Sequence, residues 1–192
     1  MQENEVLELM QEIGVVKKGH FKLSSGRHAD TYLQCALLQQ YPVLNRKVMQ
    51  SVVDFTAPYQ PTLIIGAAVG GIVAAYELAN LVHARCIFAE RTDGQLSFRR
   101  GFEILPDDRI VIVEDVVTTA KTTMELVKLV QEHGYEPAAV VSIVDRRTLS
   151  ESIPYPFKAV VRISAETWEA DQCPLCQQHI PIDEPGSRRL KK

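Results

Sequence analysis

Ile110-Val111-Ile112-Val113-Glu114-Asp115-Val116-Val117-Thr118-Thr119-Ala120-Lys121-Thr122-Thr123 joins an unbroken apolar run to two adjacent carboxylates and then to a hydroxyl-rich turn. The first four residues are all β-branched and do not alternate with polar ones, so they predict a central parallel strand covered on both faces. Glu114 and Asp115 then stand at its carboxyl end. In open α/β sheets ligands bind in the crevice outside the strand tips, and two carboxylates there call for hydroxyl groups or a metal rather than for packing partners. Residues 118–123 form a turn into a helix over 124–133. There, backbone N–H groups without intrahelical partners and up to four threonine hydroxyls can converge on one anion, and a phosphate monoester fits. Neither GxxxxGK(S/T) nor GxGxxG occurs here, which weakens both common nucleotide readings. An ordinary strand followed by a Thr-rich helix cap accounts for the turn but leaves the paired acids unexplained.

Working outward, Leu63-Ile64-Ile65-Gly66-Ala67-Ala68-Val69-Gly70-Gly71 is a second buried strand with a glycine-rich turn, followed by a helix over 72–81. Glycine lets backbone amides approach a polyphosphate closely, although any βα unit can also use it for tight packing. Residues 91–102 form a polar connection with a Thr92-Asp93-Gly94 turn and three arginines, Arg91, Arg99 and Arg100. Such a length in a compact α/β domain predicts a mobile lid; the alternation of Leu96, Phe98 and Phe102 fits a solvated hairpin instead. Arg146 closes an apolar strand over 138–144 and so stands at another carboxyl-end tip. Its planar guanidinium suits a carboxylate ligand through two parallel charge-assisted hydrogen bonds, and the alternative is a surface arginine paired with Asp145. Strands near 62–66, 86–89, 110–114, 138–144 and 158–163 alternate with helical stretches, and further helices are expected over 4–13 and 44–55. That order predicts βαβ crossovers and a mainly parallel sheet.

The strand, acidic pair, two small apolar residues and Thr-rich turn together resemble the phosphoribosyl pyrophosphate (PRPP) motif of type I phosphoribosyltransferases. Three more segments are similar to the orotate branch of that family. They are Gly19-His20-Phe21-Lys22-Leu23-Ser24-Ser25-Gly26-Arg27-His28, then Ala89-Glu90-Arg91-Thr92-Asp93-Gly94 running to Arg99-Arg100-Gly101-Phe102, and Val144-Asp145-Arg146-Arg147. The resemblance implies an α/β fold with a doubly wound, mainly parallel sheet, divided into a small hood over 1–40, a core over 41–163 and an irregular tail over 164–192. It implies transfer of a 5-phosphoribosyl group from PRPP to orotate, with Mg²⁺ carried on the diphosphate and no metal ligand assigned in the chain.

On the same footing, Glu114 and Asp115 hold the ribose hydroxyls. Val116 and Val117 lead into the phosphate turn of Thr118, Thr119, Ala120, Lys121 and Thr122, and Val69, Gly70 and Arg91 meet the pyrophosphate. Thr118 and Arg146 contact orotate, and Arg99 and Arg100 stand in for the catalytic lysine and histidine of the family's lid. Gly70 stands where relatives often carry lysine, and so does Ser24; Lys22 would share the face of Ser24 by strand alternation. Tyr32 and Leu33 fall where related chains place residues against the pyrimidine, with core packing as the alternative. The resemblance also implies a homodimer. Two rivals share the motif, a purine phosphoribosyltransferase and a non-catalytic regulator that senses PRPP.

A chain of 192 residues, 46% hydrophobic and 23% charged, has room for one well-packed domain with an appendage. A net charge of −3 argues against broad electrostatic binding to nucleic acid. The apolar stretches are too short to span a bilayer, and without a cationic leader the expected location is cytoplasmic. After residue 163 the chain turns polar and reaches Cys173-Pro174-Leu175-Cys176, followed by Pro181, Pro185, Gly186, Ser187 and Arg188. One CxxC supplies two of the four ligands of a structural zinc site, and His179 or a partner subunit could add others. With no second CxxC, and with Cys35 and Cys86 in apolar surroundings, a reduced thiol pair is the simpler expectation.

Overall fold

The computed structural model describes residues 1–23, 25–148 and 152–185, so Ser24 and the expected tail residues Gly186, Ser187 and Arg188 lie outside the described residues. In chain order, helix α1 (Glu3–Glu12) leads into strands β1 (Val16–Lys22) and β2 (His28–Leu33). Helices α2 (Ala36–Gln39), α3 (Pro42–Gln50) and α4 (Val53–Thr56) precede β3 (Leu63–Ala67), α5 (Gly70–Val82), β4 (Arg85–Thr92) and β5 (Gln95–Phe98). Then come β6 (Ile110–Val117), α6 (Lys121–Glu132), β7 (Pro137–Asp145), β8 (Phe157–Arg162), β9 (Thr167–Trp168) and α7 (Pro174–Gln177).

Strands β3 to β8 form one sheet in the order β5-β4-β3-β6-β7-β8, parallel except for β5. The unbroken apolar run of β6 follows from its central place. Val111 and Val113 enter a core shared with α1, α3 and α5, while Ile110 and Ile112 enter a second core under α6. All four are fully buried, and each contributes about 1.5–3 kcal/mol relative to an exposed side chain. Sequence order reverses direction between β3 and β6, because β4 and β5 build outward on one side of β3 and β6, β7 and β8 on the other. A doubly wound sheet opens its ligand crevice at such a switch point.

Three elements differ from expectation. The helix expected over 44–55 breaks into α3 and α4, since Ser51 and Val52 donate to Val48 and Met49 three residues back, and Val52 becomes wholly buried at the tightened turn. The connection over 91–102, expected as a mobile lid with a solvated hairpin as the alternative, has a hairpin's form without its solvation: β4 and β5 pair antiparallel, and Leu96, Phe98 and Phe102 pack on the second core. Hood and tail, separate in sequence, meet in one three-stranded sheet of order β1-β2-β9, extended by a bridge between Phe21 and Asp183.

Candidate active site

Strand β6 outruns β3. Gly66 of β3 lies beside Val113, but β6 continues alongside β7 to the pairing of Val117 with Asp145. Glu114 and Asp115 therefore lie on the last half of β6, facing the loop that follows β3. That loop turns through Ala68 and Val69, whose peptide bond is cis, into the first residue of α5. A Cβ on Gly70 would stand 2.1 Å from Oδ2 of Asp115. Only glycine leaves the Asp115 carboxylate where it is. Gln39 Nε2 donates to the Gly70 carbonyl at 2.6 Å and helps fix the loop.

The two acids differ. Glu114 is 5% exposed, and its Oε1 has no hydrogen-bond partner. Burial, reinforced by the neighbouring Asp115, pushes its carboxyl up to about 8, while Arg91 opposes the rise. Burial also raises Asp115, opposed by backbone N–H groups that include Val116, which donates to Oδ1 at 2.9 Å. An unpartnered buried carboxylate is costly unless a ligand completes it.

Beyond the acids, Thr118 and Thr119 are exposed, and Ala120 takes a left-handed φ of 55° before α6 begins at Lys121. A non-glycine residue held there costs of order 1 kcal/mol, and such strain concentrates at ligand-binding turns. The left-handed turn starts the helix three residues earlier than expected and leaves the first N–H groups of α6 without intrahelical partners.

Arg146 follows β7 directly, its backbone N–H donating to Val117 at 2.8 Å. It is half-buried, its Nε has no partner, and burial lowers its pKa against the pull of Asp30 on β2. The alternative pairing with Asp145 does not occur: Arg147 makes it, through bonds of 2.9 and 3.1 Å, and lies over the Phe157 ring. Four buried side-chain atoms lack hydrogen-bond partners among the described residues, and two of the four are Glu114 Oε1, in the carboxyl-terminal half of β6, and Arg146 Nε, just past the end of the neighbouring β7.

Other expected residues are engaged elsewhere. Arg100 pairs with Glu90 through two 2.8 Å bonds, Arg91 with Glu125, and Arg99 has a 3.4 Å bond to Thr92. Of the three, Arg91 alone bears on the Glu114 charge. Lys22 pairs with Glu184, Tyr32 packs on Phe21 and donates to Pro185, and Leu33 packs on the first core. A cleft of about 550 Å³ lined by Gln60, Thr62, His83 and Arg109 lies at the other edge of the sheet, where β3 and β6 begin.

A crevice at the switch point of a doubly wound sheet, with an acid pair on one wall and a helix-initiating turn beside it, defines an α/β protein of the kind that binds its ligand outside the strand tips. The profile of the Phosphoribosyl transferase domain family matches residues 40–177. The chain is 43% identical over 190 residues to the orotate phosphoribosyltransferase of Caldanaerobacter subterraneus subsp. tengcongensis, covering 99% of this chain and 100% of that one. It is 39% identical over 191 residues to that of Caldicellulosiruptor saccharolyticus, covering 100% of both. Among solved structures, orotate phosphoribosyltransferase from Aeropyrum pernix shares the fold with a TM-score of 0.68 at 22% identity, covering 82% of this chain and 93% of that chain. Leishmania donovani UMP synthase gives 0.69 at 25% identity, covering 83% of this chain and 36% of that one. The chain belongs to the phosphoribosyltransferase family, in its orotate phosphoribosyltransferase branch.

Proposed function

We infer that the protein transfers the 5-phosphoribosyl group of PRPP to orotate, giving orotidine 5′-monophosphate and pyrophosphate. Its full-length relatives carry that activity in their names. The structural observation that carries the reading is the pair of buried groups without hydrogen-bond partners, Glu114 Oε1 in the carboxyl-terminal half of β6 and Arg146 Nε just past the end of the neighbouring β7. One suits a sugar hydroxyl and the other a ring carboxylate.

In this reading Glu114 and Asp115 accept hydrogen bonds from the ribose hydroxyls, and the turn over 118–122 holds the 5′-phosphate. Thr118 and Arg146 orient orotate so that its ring nitrogen faces the anomeric carbon. The carbon–nitrogen bond forms as the bond to pyrophosphate breaks, and the sugar passes through oxocarbenium character. Val69 and Gly70 bound the diphosphate. Arg99, the least committed of the three hairpin arginines, is the first available to meet the leaving group; Arg91 and Arg100 join once their pairs with Glu125 and Glu90 open. Two carboxylates, one with an unpartnered oxygen, are hard donors that fit Mg²⁺. Bound there with the diphosphate, the ion would neutralise charge on the departing group.

A homodimer in the cytoplasm belongs to the same reading. Val43 and Tyr76 are 68% and 66% exposed on α3 and α5, an apolar surface a second copy would cover. No helix of the described residues is long and apolar enough to cross a membrane.

Incubation with PRPP, Mg²⁺ and each base in turn tests the reading. Orotate consumption with stoichiometric pyrophosphate release is expected, and turnover of adenine or hypoxanthine without turnover of orotate would reject it.

A further inference from the structure

Four side chains from distant parts of the sequence converge in the hood: His20 on β1, His28 on β2, and Cys173 and Cys176 at the start of α7. Their ligand atoms all lie within 4.8 Å of one another. His20 Nε2 stands 3.0 Å from His28 Nδ1, 3.5 Å from Cys173 Sγ and 3.7 Å from Cys176 Sγ, and Cys176 Sγ stands 3.3 Å from His28 Nδ1. Zinc bonds of about 2.0–2.1 Å to nitrogen and about 2.3 Å to sulfur set tetrahedral ligand atoms roughly 3.3–3.8 Å apart. The four spacings just given agree with that tetrahedron to a few tenths of an ångström, and all six lie within 4.8 Å.

We propose that these residues form a structural Cys₂His₂ zinc site that ties the carboxy-terminal segment to the hood. Hydrogen bonding alone does not account for the cluster. His20 Nδ1 lies 2.8 Å from the Ile180 carbonyl, which can only accept, so in the neutral ring Nδ1 carries the proton and Nε2 holds a lone pair. Three neighbours, His28 Nδ1 and both sulfurs, would then compete for that single lone pair. A cation at their centre engages all four atoms at once. The bond from His20 to Ile180 is also the outer contact that orients a metal-bound imidazole.

Local structure prepares the site. The β1–β2 register slips between Lys18 and Phe21, so consecutive residues His20 and Phe21 both point inward, as a bulge allows. The CxxC spacing wraps one helical turn, placing both sulfurs on one side. His20, His28 and Cys173 are 3%, 6% and 1% exposed, which closes the site to water on three sides. His179, exposed and with a φ of 55°, is not among the four. Two thiolates and two imidazoles in tetrahedral array select zinc over hard cations such as Mg²⁺, and with every position filled by protein the ion is structural rather than catalytic. The site is independent of the transferase reading.

Full-length protein purified without chelator from zinc-supplemented medium should contain about one zinc per chain by elemental analysis. Co²⁺ exchange should give the intense visible absorption of tetrahedral thiolate-bound cobalt. Cys176→Ser, at the most exposed of the four ligands, should lower metal content at least about tenfold. A strong chelator should lower the melting temperature of the wild-type protein, with recovery on adding Zn²⁺ but not Mg²⁺. Zinc below about one-tenth of an equivalent together with no cobalt band would overturn the proposal, and so would full metal retention in Cys176→Ser. The cobalt spectrum of the wild-type protein decides the matter even if variants fail to fold.

Discussion

Glu114→Gln separates the fold's need for Glu114 from the ligand's. Burial and Asp115 hold this carboxyl up to about 8 against an ordinary 4.5. An acid with a raised folded pKa binds more protons in the native state, so its contribution is fully present below the unfolded pKa and is lost as pH rises through the folded one. The loss runs at about 1.4 kcal/mol per pH unit between about pH 4.5 and pH 8, close to 5 kcal/mol in all. Glutamine keeps the shape and does not titrate. It leaves the same position short of a partner, a cost that does not vary with pH. The stability difference between variant and wild type should therefore grow in the variant's favour by about 3 kcal/mol from about pH 4.5 to pH 7. At about 2–4 °C per kcal/mol for a chain of this size, that is a relative gain of roughly 6–12 °C in melting temperature. Thermal unfolding of both ligand-free proteins across this range measures it directly. PRPP affinity, followed by calorimetry, should fall in the same variant. Parallel pH profiles for the two proteins would refute the argument, because they would mean that Glu114 titrates as an ordinary surface acid.

Asp115→Asn should cut orotate-dependent pyrophosphate release by about 10- to 100-fold, the worth of a charged hydrogen bond, with little change in melting temperature; unchanged turnover would remove Asp115 from the site. Arg146→Ala should raise the KM for orotate about tenfold or more while leaving the KM for PRPP nearly unchanged, as steady-state kinetics with each substrate varied in turn would show. Gly70→Ala forces the Asp115 carboxylate to rotate away from a Cβ placed 2.1 Å from its oxygen, so kcat/KM should fall without a matching loss of stability. Leu126→Ala, at a fully buried position of the second core, should cost about 2–5 kcal/mol in denaturant unfolding and leave both KM values unchanged.

The core of the sheet was legible because its signals are local. Residues 110–113 are wholly apolar since β6 is covered on both faces, and the acids and turn follow without interruption, so strand, carboxylates and anion turn could be placed from fourteen consecutive residues. Element ends were less legible. The reach of β6 to Val117 depends on pairing with β7, and the early start of α6 depends on a left-handed alanine that no residue preference announces. Which of the adjacent Arg146 and Arg147 pairs with Asp145 is not legible either, because sequence order says nothing about which of two neighbouring guanidinium groups turns toward it.

The hood shows why the remaining gap is physical. A CxxC is visible in any sequence, but its partners here are separated from it by 148 and 153 residues, and both histidines lie in a segment that reads as a substrate-side hood. Tertiary pairing brings them together: β2 aligns with β9 through the pair of His28 with Trp168, and β1 with the tail through Phe21 and Asp183. Those contacts add little apolar burial, since β9 spans two residues and most of the described side chains beyond Cys176 are exposed. A small sheet with so little core needs another source of cohesion. Four convergent ligand atoms supply one, and the same cross-link holds β2, whose Asp30 acts on Arg146, in a fixed position relative to the crevice. Loss of the metal should therefore loosen the orotate side of the site more than the PRPP side, raising the KM for orotate in chelated enzyme assayed with excess Mg²⁺. An equal rise in both constants would mean that the hood and the crevice are mechanically independent.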